Sequence, residues 1–479
     1  MSDRGAPDRR EGVILAELDD GLVIRHARRD DAEAVIALNA DVHRNYGMTE
    51  PDAFIGAWTR DLFELPHPSF DVTDFMVVED RATGAIVSSL NLFSQTWTYD
   101  GVPFGVGRPE LVGTRPEYRR RGLVRRQFDA LHRWSAERGE LLQGITGIPW
   151  YYRQFGYEYA LGMPASRDVA RANVPRLAEG KAEPFRVRAA VADDAPFVAG
   201  LDGQGRARSL VACVRDAAMW RYEIDGRGDL DGAEPYVSAI EDGAGARVGY
   251  LLHNGRLRDG TLSVMAYELA VANPATGGSA AGDSATGDSA PGGSAAGASW
   301  RAVTPSILRH VARLGEAYER DQKGARFDAI GLRLGDGHPA LPWAVGARDA
   351  LGAGDEYAWY IRVVDLPAFL RRIAPVLERR LADGGAGDLT GEVLLNFYRS
   401  GLRLAFQSGR LSAVEPWAPE RALADAAFPD PTFLKILFGY RSLAELRQAF
   451  PDCHGRDGRS AALLGTLFPK RQSVVWPID

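Results

Sequence analysis

Hydrophobic and polar positions follow two periods along this chain, and the switches between them outline a mixed α/β protein. Leu22-Val-Ile-Arg25 reads as a strand, followed by a helix opened by Asp30-Asp31 and carrying Ala34, Val35, Ala37 and Leu38 at helical spacing. A second helix is expected over 51–65, with Pro51 near its first turn. Residues 74–79 and 85–93 read as strands around the turn Asp80-Arg-Ala-Thr-Gly84. A strand ending near Val112 then runs into an arginine-dense turn. After it come a helix through Gln127, Phe128, Leu131 and Trp134, ending near Arg138, and a strand over 141–145.

The opening pattern recurs. Phe185-Arg-Val-Arg-Ala-Ala-Val-Ala-Asp193-Asp194-Ala195 mirrors Leu22-Val-Ile-Arg-His-Ala-Arg-Arg-Asp30-Asp31-Ala32, a strand ending in Arg before an Asp-Asp-Ala helix start. A strand pair at 236–241 and 247–253 follows, so residues 184–364 read as a second copy of the first unit. Residues 272–299 are almost wholly Gly, Ala, Ser, Thr, Asp and Pro, and are expected to form a disordered surface loop. That segment lies between a strand at 267–271 and a helix at 305–319, where the first copy carries its arginine turn. The second copy is therefore expected to bind no cofactor. From residue 365 the pattern changes to a helix over 366–381 and antiparallel strands at 391–397 and 402–407 joined by Tyr398-Arg-Ser-Gly401. Two short helices are expected within 432–450. Residues 1–20 read as a flexible leader, whereas the last residues, 467–479, are apolar, β-branched and aromatic, as in a docked tail.

At 479 residues the chain needs more than one core. Its net charge of −7 makes the arginine turn a local feature on an acidic background, which favours a small anionic ligand over nucleic acid. Cys213 and Cys453 are far apart and the eight histidines show no HxH or HExxH spacing, so neither a disulfide framework nor a metal site is expected. No stretch approaches the roughly 18–20 apolar residues of a membrane span, which points away from a membrane and to a cytoplasmic protein.

The stretch Glu110-Leu-Val-Gly-Thr-Arg-Pro-Glu-Tyr-Arg119-Arg120-Arg121-Gly122-Leu123-Val124 carries the candidate chemistry. A strand feeding a helix N-terminus through a basic, glycine-containing turn presents unpaired amides and the positive end of the helix dipole. Gly122 lets backbone approach a ligand closely. A phosphate or pyrophosphate fits there.

The run Arg119 to Val124 resembles the Arg/Gln-x-x-Gly-x-Gly/Ala turn of the GNAT acetyltransferase superfamily, with Val124 where the family has a small residue. Pro149-Trp150-Tyr151-Tyr152-Arg153-Gln154-Phe155-Gly156-Tyr157 resembles the segment where these enzymes place a tyrosine near the thioester sulfur. The whole layout is similar to the enhanced intracellular survival (Eis-type) family. There, two acetyltransferase-like domains precede one resembling sterol carrier proteins, a likeness carried here by Asn396-Phe-Tyr-Arg-Ser-Gly-Leu402-Arg-Leu-Ala-Phe406. The resemblance implies an α/β fold with mixed sheets in three parts: a catalytic domain over 21–165, a second GNAT-like domain over 184–364 and a sterol-carrier-like α+β domain over 365–479.

It further implies an N-acetyltransferase using acetyl-CoA as co-substrate and no metal. Arg119, Arg120, Arg121, Gly122, Leu123 and Val124 would cradle the pyrophosphate. Leu111, Val112 and Gly113 would flank the acetyl and pantetheine portion, with Gly147 and Ile148 opposite. Tyr152 is the expected general acid and Asp479, through its terminal or side-chain carboxylate, the expected base. A primary amine, on a lysine side chain, polyamine-like molecule or aminoglycoside, would be acceptor, with Asp41, Glu50, Asp52 or Asp61 attracting it. A homo-oligomer such as a hexamer is expected. The alternative is a lipid- or partner-binding protein that uses the third domain on a non-catalytic scaffold.

Overall fold

The computed structural model describes residues 10–44, 49–229, 235–270, 298–344, 346–349, 357–419 and 424–476. Three mixed sheets organise it. The first contains β1 (Ile14–Glu17), β2 (Leu22–His26), β3 (Phe75–Asp80), β4 (Ala85–Tyr99), β5 (Val102–Thr114), β6 (Leu142–Ile145) and β7 (Glu158–Gly162). Helices α1 (Ala32–Val42), α2 (Ala53–Glu64) and α3 (Leu123–Glu137) pack on it. α1 and α2 lie on β4, where Asn39 Nδ2 donates to Thr59 Oγ1 and Ser89 Oγ donates to Asn39 Oδ1.

β4 runs to Tyr99, well past the expected end at Phe93, and turns into β5 through Asp100 and Gly101, both at positive φ. The polar run Ser94-Gln-Thr hides the strand in the sequence. Its distal residues Trp97 and Tyr99 are fully buried, in one continuous core with Phe369, Leu370, Leu377 and Phe438 of the third unit.

Sheet membership departs from chain order at three places, one of them Val211–Cys213, which joins the first sheet antiparallel to the far end of β4. Arg167–Ala170 joins the second sheet, antiparallel to Ala329–Leu332, and Ala358–Val363 joins the first, between β6 and β7. Each copy thus receives a strand from beyond the sequence boundary that separates them. The span 184–364 therefore misses one strand of the second sheet and includes two of the first. None of these exchanges leaves a periodicity mark, since a strand's sequence does not state which edge it meets.

The repeated opening has a structural cause. Arg25 pairs with Asp31 at 2.7 Å and Glu79 at 2.5 Å, while Arg188 pairs with Asp194 at 2.6 Å and Glu241 at 2.6 Å. In both copies the aspartate also accepts from the backbone amide three residues before it, tying strand end, helix start and neighbouring strand together.

The third sheet orders Arg410–Pro416, Gly401–Gln407, Gly391–Asn396, Ala426–Ala427 and His454–Gly455. The helix expected over 366–381 is two, Leu366–Arg372 and Ala374–Asp383, because Pro375 has no amide to continue the ladder. The chain end is docked as far as it is described. Val474 N donates to Val211 O, Leu210 N to Gln472 O, and Trp359 Nε1 to Val475 O. Asp479 and its two predecessors lie outside the described residues, as does the expected 272–299 loop except for its last two residues. No described helix is long and apolar enough to cross a membrane.

Candidate active site

β5 and β6 run parallel but pair only at Val106–Leu142 and Gly107–Gln143. Past that point β5 continues to Thr114 and the strands diverge, opening a wedge. A bulge opposite Ser89–Asn91 turns β5, with Leu111 at φ +51°, a rare backbone state for leucine. The wedge continues into a cleft of about 530 Å³. Val112 and Gly113 wall one side; Ile148, Tyr151, Tyr152 and Phe155 face them; Arg119, Arg120, Gly122, Leu123 and Val124 close the end.

The position of α3 is fixed from within the core. Gln127 is fully buried, its Nε2 donating to Met76 O, while Ser88 Oγ lies 2.8 Å from both Gln127 Oε1 and Thr114 Oγ1. The helix start is thereby registered against the end of β5. Gly122 caps the helix at φ +75° without a side-chain hydrogen bond, and a Cβ there would meet nothing within 4 Å. Arg120 also has positive φ, so the turn curls with its backbone facing inward. The opening amides of α3 are left for a ligand.

The arginines divide their work. Arg119 Nε donates to Thr114 O and holds the turn to the strand it leaves. Arg121 points away to Asp20 and covers Tyr118, and it does not line the cleft. Arg120 lines the cleft and has no ion pair among the described residues. Arg125, not singled out from the sequence, spans to Gln154 across the mouth.

Tyr152 is 6% exposed and reaches the cleft beside Gly147, where an added Cβ would come within 3.3 Å of its hydroxyl. Gly147, exposed and at φ +136°, leaves room for that ring and is not among the residues lining the cleft. Leu111 is buried behind the wall, in the core with Trp58 and Phe93. Burial, and then the charge of Glu110, holds the Tyr152 phenol well above its ordinary pKa. The proton is thus held more tightly than on a solvent-exposed phenol.

Two nearby groups escaped the sequence reading. Glu110 projects from β5 and is held by Arg108 at 2.6 Å. His43, just past α1, lies against Gly113 and Val112; burial lowers its pKa against the pull of the Asn39 carbonyl and Asp52. Neither stands in a recognisable spacing. Only the bulge and the end of α1 bring them to the wedge.

Tyr360, on the strand Ala358–Val363 that the first sheet takes from the 184–364 span, and Tyr357 just before it support the opposite wall. Tyr357 Oη donates to Gly147 O at 2.5 Å, and Trp150 N donates to Tyr360 Oη. Tyr360 also packs 5.6 Å from the Tyr152 ring. Ile148 and Trp150 remain largely exposed at the rim, an apolar edge suited to a ligand.

No curated protein matches the sequence. Among solved structures, a GCN5-related N-acetyltransferase from Anabaena variabilis aligns over 95% of this chain and 99% of its own, with TM-score 0.60 and 12% identity. One from Kribbella flavida aligns over 95% and 99%, with TM-score 0.58 and 19% identity. Eis1 from Mycobacterium abscessus aligns over 96% and 100%, with TM-score 0.54 and 14% identity. At these identities the likeness is one of fold, and it extends over nearly the whole chain. Residues 23–160, which hold the wedge, the arginine turn and Tyr152, match the family model of an acetyltransferase (GNAT) domain.

Proposed function

We propose that the protein transfers the acetyl group of acetyl-CoA to a primary amine. The observation that carries this reading is one cleft with an uncapped helix start at Gly122 and the Tyr152 hydroxyl on its wall. The diphosphate of the cofactor sits on the α3 amides beside Arg120, and the thioester lies in the wedge along Val112 and Gly113. The amine lone pair attacks the thioester carbonyl carbon, the C–S bond breaks, and sulfur leaves with its electron pair. Tyr152 protonates that thiolate. Its raised pKa fits a thiolate leaving into the same cleft, because desolvation strengthens both bases together.

The amine loses its proton to a carboxylate, that of Asp479 at the chain end or Glu110 on β5. The acceptor is a lysine side chain or a small molecule, and the protein works in the cytoplasm as a homo-oligomer. Acetyl-CoA at 100 times its dissociation constant should stabilise the protein by about 2.7 kcal/mol. Free CoA should then appear when amines are added. Absence of both the thermal shift and CoA release would sink the reading.

A further inference from the structure

Tyr152 rides on a short turn, Tyr151–Phe155, flanked by two residues with left-handed backbone, Trp150 at φ +69° and Gly156 at φ +85°. Glycine takes that state freely. Tryptophan does not, so Trp150 keeps it only where its neighbours hold it. Its amide donates to Tyr360 Oη, and its ring lies under the Arg153 guanidinium at 4.2 Å.

Arg153 is itself anchored. Its Nη2 lies 2.5 Å from Oε2 of Glu158, which is fully buried at the start of β7. The other carboxylate oxygen accepts from Tyr159 N at 2.8 Å and pairs with Lys435 Nζ at 3.1 Å. Lys435 belongs to the third unit, on the short helix Leu434–Leu437 that packs against β7, and it too is buried. Its ammonium also donates to Tyr159 O at 2.7 Å. A line of charge thus leads from the third unit, through a buried carboxylate, to the turn that carries the phenol.

Stability alone is a poor reason for such a line. Desolvating the charges offsets much of their attraction, so apolar side chains of the same volume would serve the core as well. What the ions add is a fixed geometry, since Glu158 meets Arg153 and Lys435 together only in one arrangement of turn, strand and third unit. Resting on the acetyltransferase reading, we infer that Lys435 is a positioning residue for Tyr152, acting through Glu158 and Arg153. The third unit then belongs to the reaction machinery without touching either reactant. The demand on it is strict, because misplacing a reacting group by about 1 Å can cost on the order of 100-fold in rate.

Two substitutions in the full chain cut the line at its ends. Lys435→Met removes the buried cation, and Arg153→Met removes the link at the turn while leaving Lys435 and Glu158 paired inside. Each should lower kcat about tenfold or more, with acetyl-CoA affinity from a binding isotherm held within about twofold. The double variant should lose little more than either single one, since both cut the same line. Glu158→Leu with Lys435→Met replaces the buried ions by apolar groups and leaves Arg153 to water. Whether or not its denaturation midpoint returns to that of the parent, kcat should stay low. Recovery of kcat in that pair, or an unchanged kcat in folded Arg153→Met or Lys435→Met, overturns the inference. Should Lys435→Met fail to fold, Arg153→Met and the apolar pair decide alone. Hydrogen exchange tests the anchor without turnover: amides of 150–156 should exchange about tenfold faster in Arg153→Met, with β5 and α3 unchanged. Unaltered exchange there also overturns the inference. Faster exchange in a protein whose parent releases no CoA from acetyl-CoA keeps the anchor and counts against the transfer reaction instead.

Discussion

The two copies build the same wedge and finish it differently. In the second, Thr261–Leu269 pairs in parallel with Ala329–Leu332 as far as Val264–Leu332 and then leaves that partner, as β5 leaves β6 past Gly107. Here the opening is plugged. His338 Nε2 bridges 2.8 Å to Tyr267 O, Arg208 pairs with Glu268, and Gln472 of the chain end accepts from Asp336 N. About 90 Å³ remains, against about 530 Å³ in the first copy. The helices that follow differ in the same sense. Gly122 leaves the start of α3 open, whereas Ser299 turns its hydroxyl onto Ala302 N and caps its own helix. One scaffold therefore gives a ligand cleft where amides are left unpaired, and a structural joint where side chains pair them.

The largest expected effect tests whether the open wedge is a reaction site at all. Tyr152→Phe removes the hydroxyl and keeps the ring that packs on Phe128 and Tyr360. Turnover should fall on the order of 100-fold or more, the usual weight of a general acid, with acetyl-CoA affinity nearly unchanged. Steady-state kinetics beside a binding isotherm separate the two. An unchanged rate removes Tyr152 from the mechanism.

Gly122→Asp makes the first copy imitate the second. Aspartate is a good N-cap and tolerates positive φ better than most residues, so the helix should survive. Its carboxylate would take the amides and repel the diphosphate, costing about 2 kcal/mol, or tens-fold in acetyl-CoA affinity. Retained affinity in a folded protein would mean that the diphosphate lies elsewhere.

Much of this was legible in the sequence because it rests on local rules. The strand, arginine turn and helix around Gly122 were readable since a positive-φ glycine at a helix start is a nearest-neighbour requirement. The duplication was readable since Arg25 with Asp31, and Arg188 with Asp194, lie six residues apart and serve one joint. What stayed hidden depends on distant chain. Tyr357 and Tyr360 reach the site through a strand exchange, and Arg121 is drawn away by Asp20. The phenol of Tyr152 could be placed by its spacing to Phe155 and Gly156, but its acidity is set by burial, which spacing does not show.

The duplicated joint gives a graded comparison. The Arg25 side chain is 3% exposed and that of Arg188 is 27% exposed, though their partners correspond. Removing a buried partner strands its carboxylates, while water compensates a more open one. Arg25→Met should therefore cost about 3 kcal/mol and Arg188→Met about 1 kcal/mol. Chemical denaturation of the two variants side by side decides the ranking. Equal losses would mean that burial does not distinguish the two joints.

The smallest effect comes from opening the second copy. Ser299→Ala deletes the hydroxyl that caps its long helix and should cost about 1 kcal/mol, as for other lost caps. It should not create a cofactor site, because the wedge behind that helix is still filled by His338, Arg208 and Gln472. Titration of this variant should saturate with the same single equivalent of acetyl-CoA as the parent protein. A second equivalent would show that the cap alone, rather than the plugged wedge, separates the two copies.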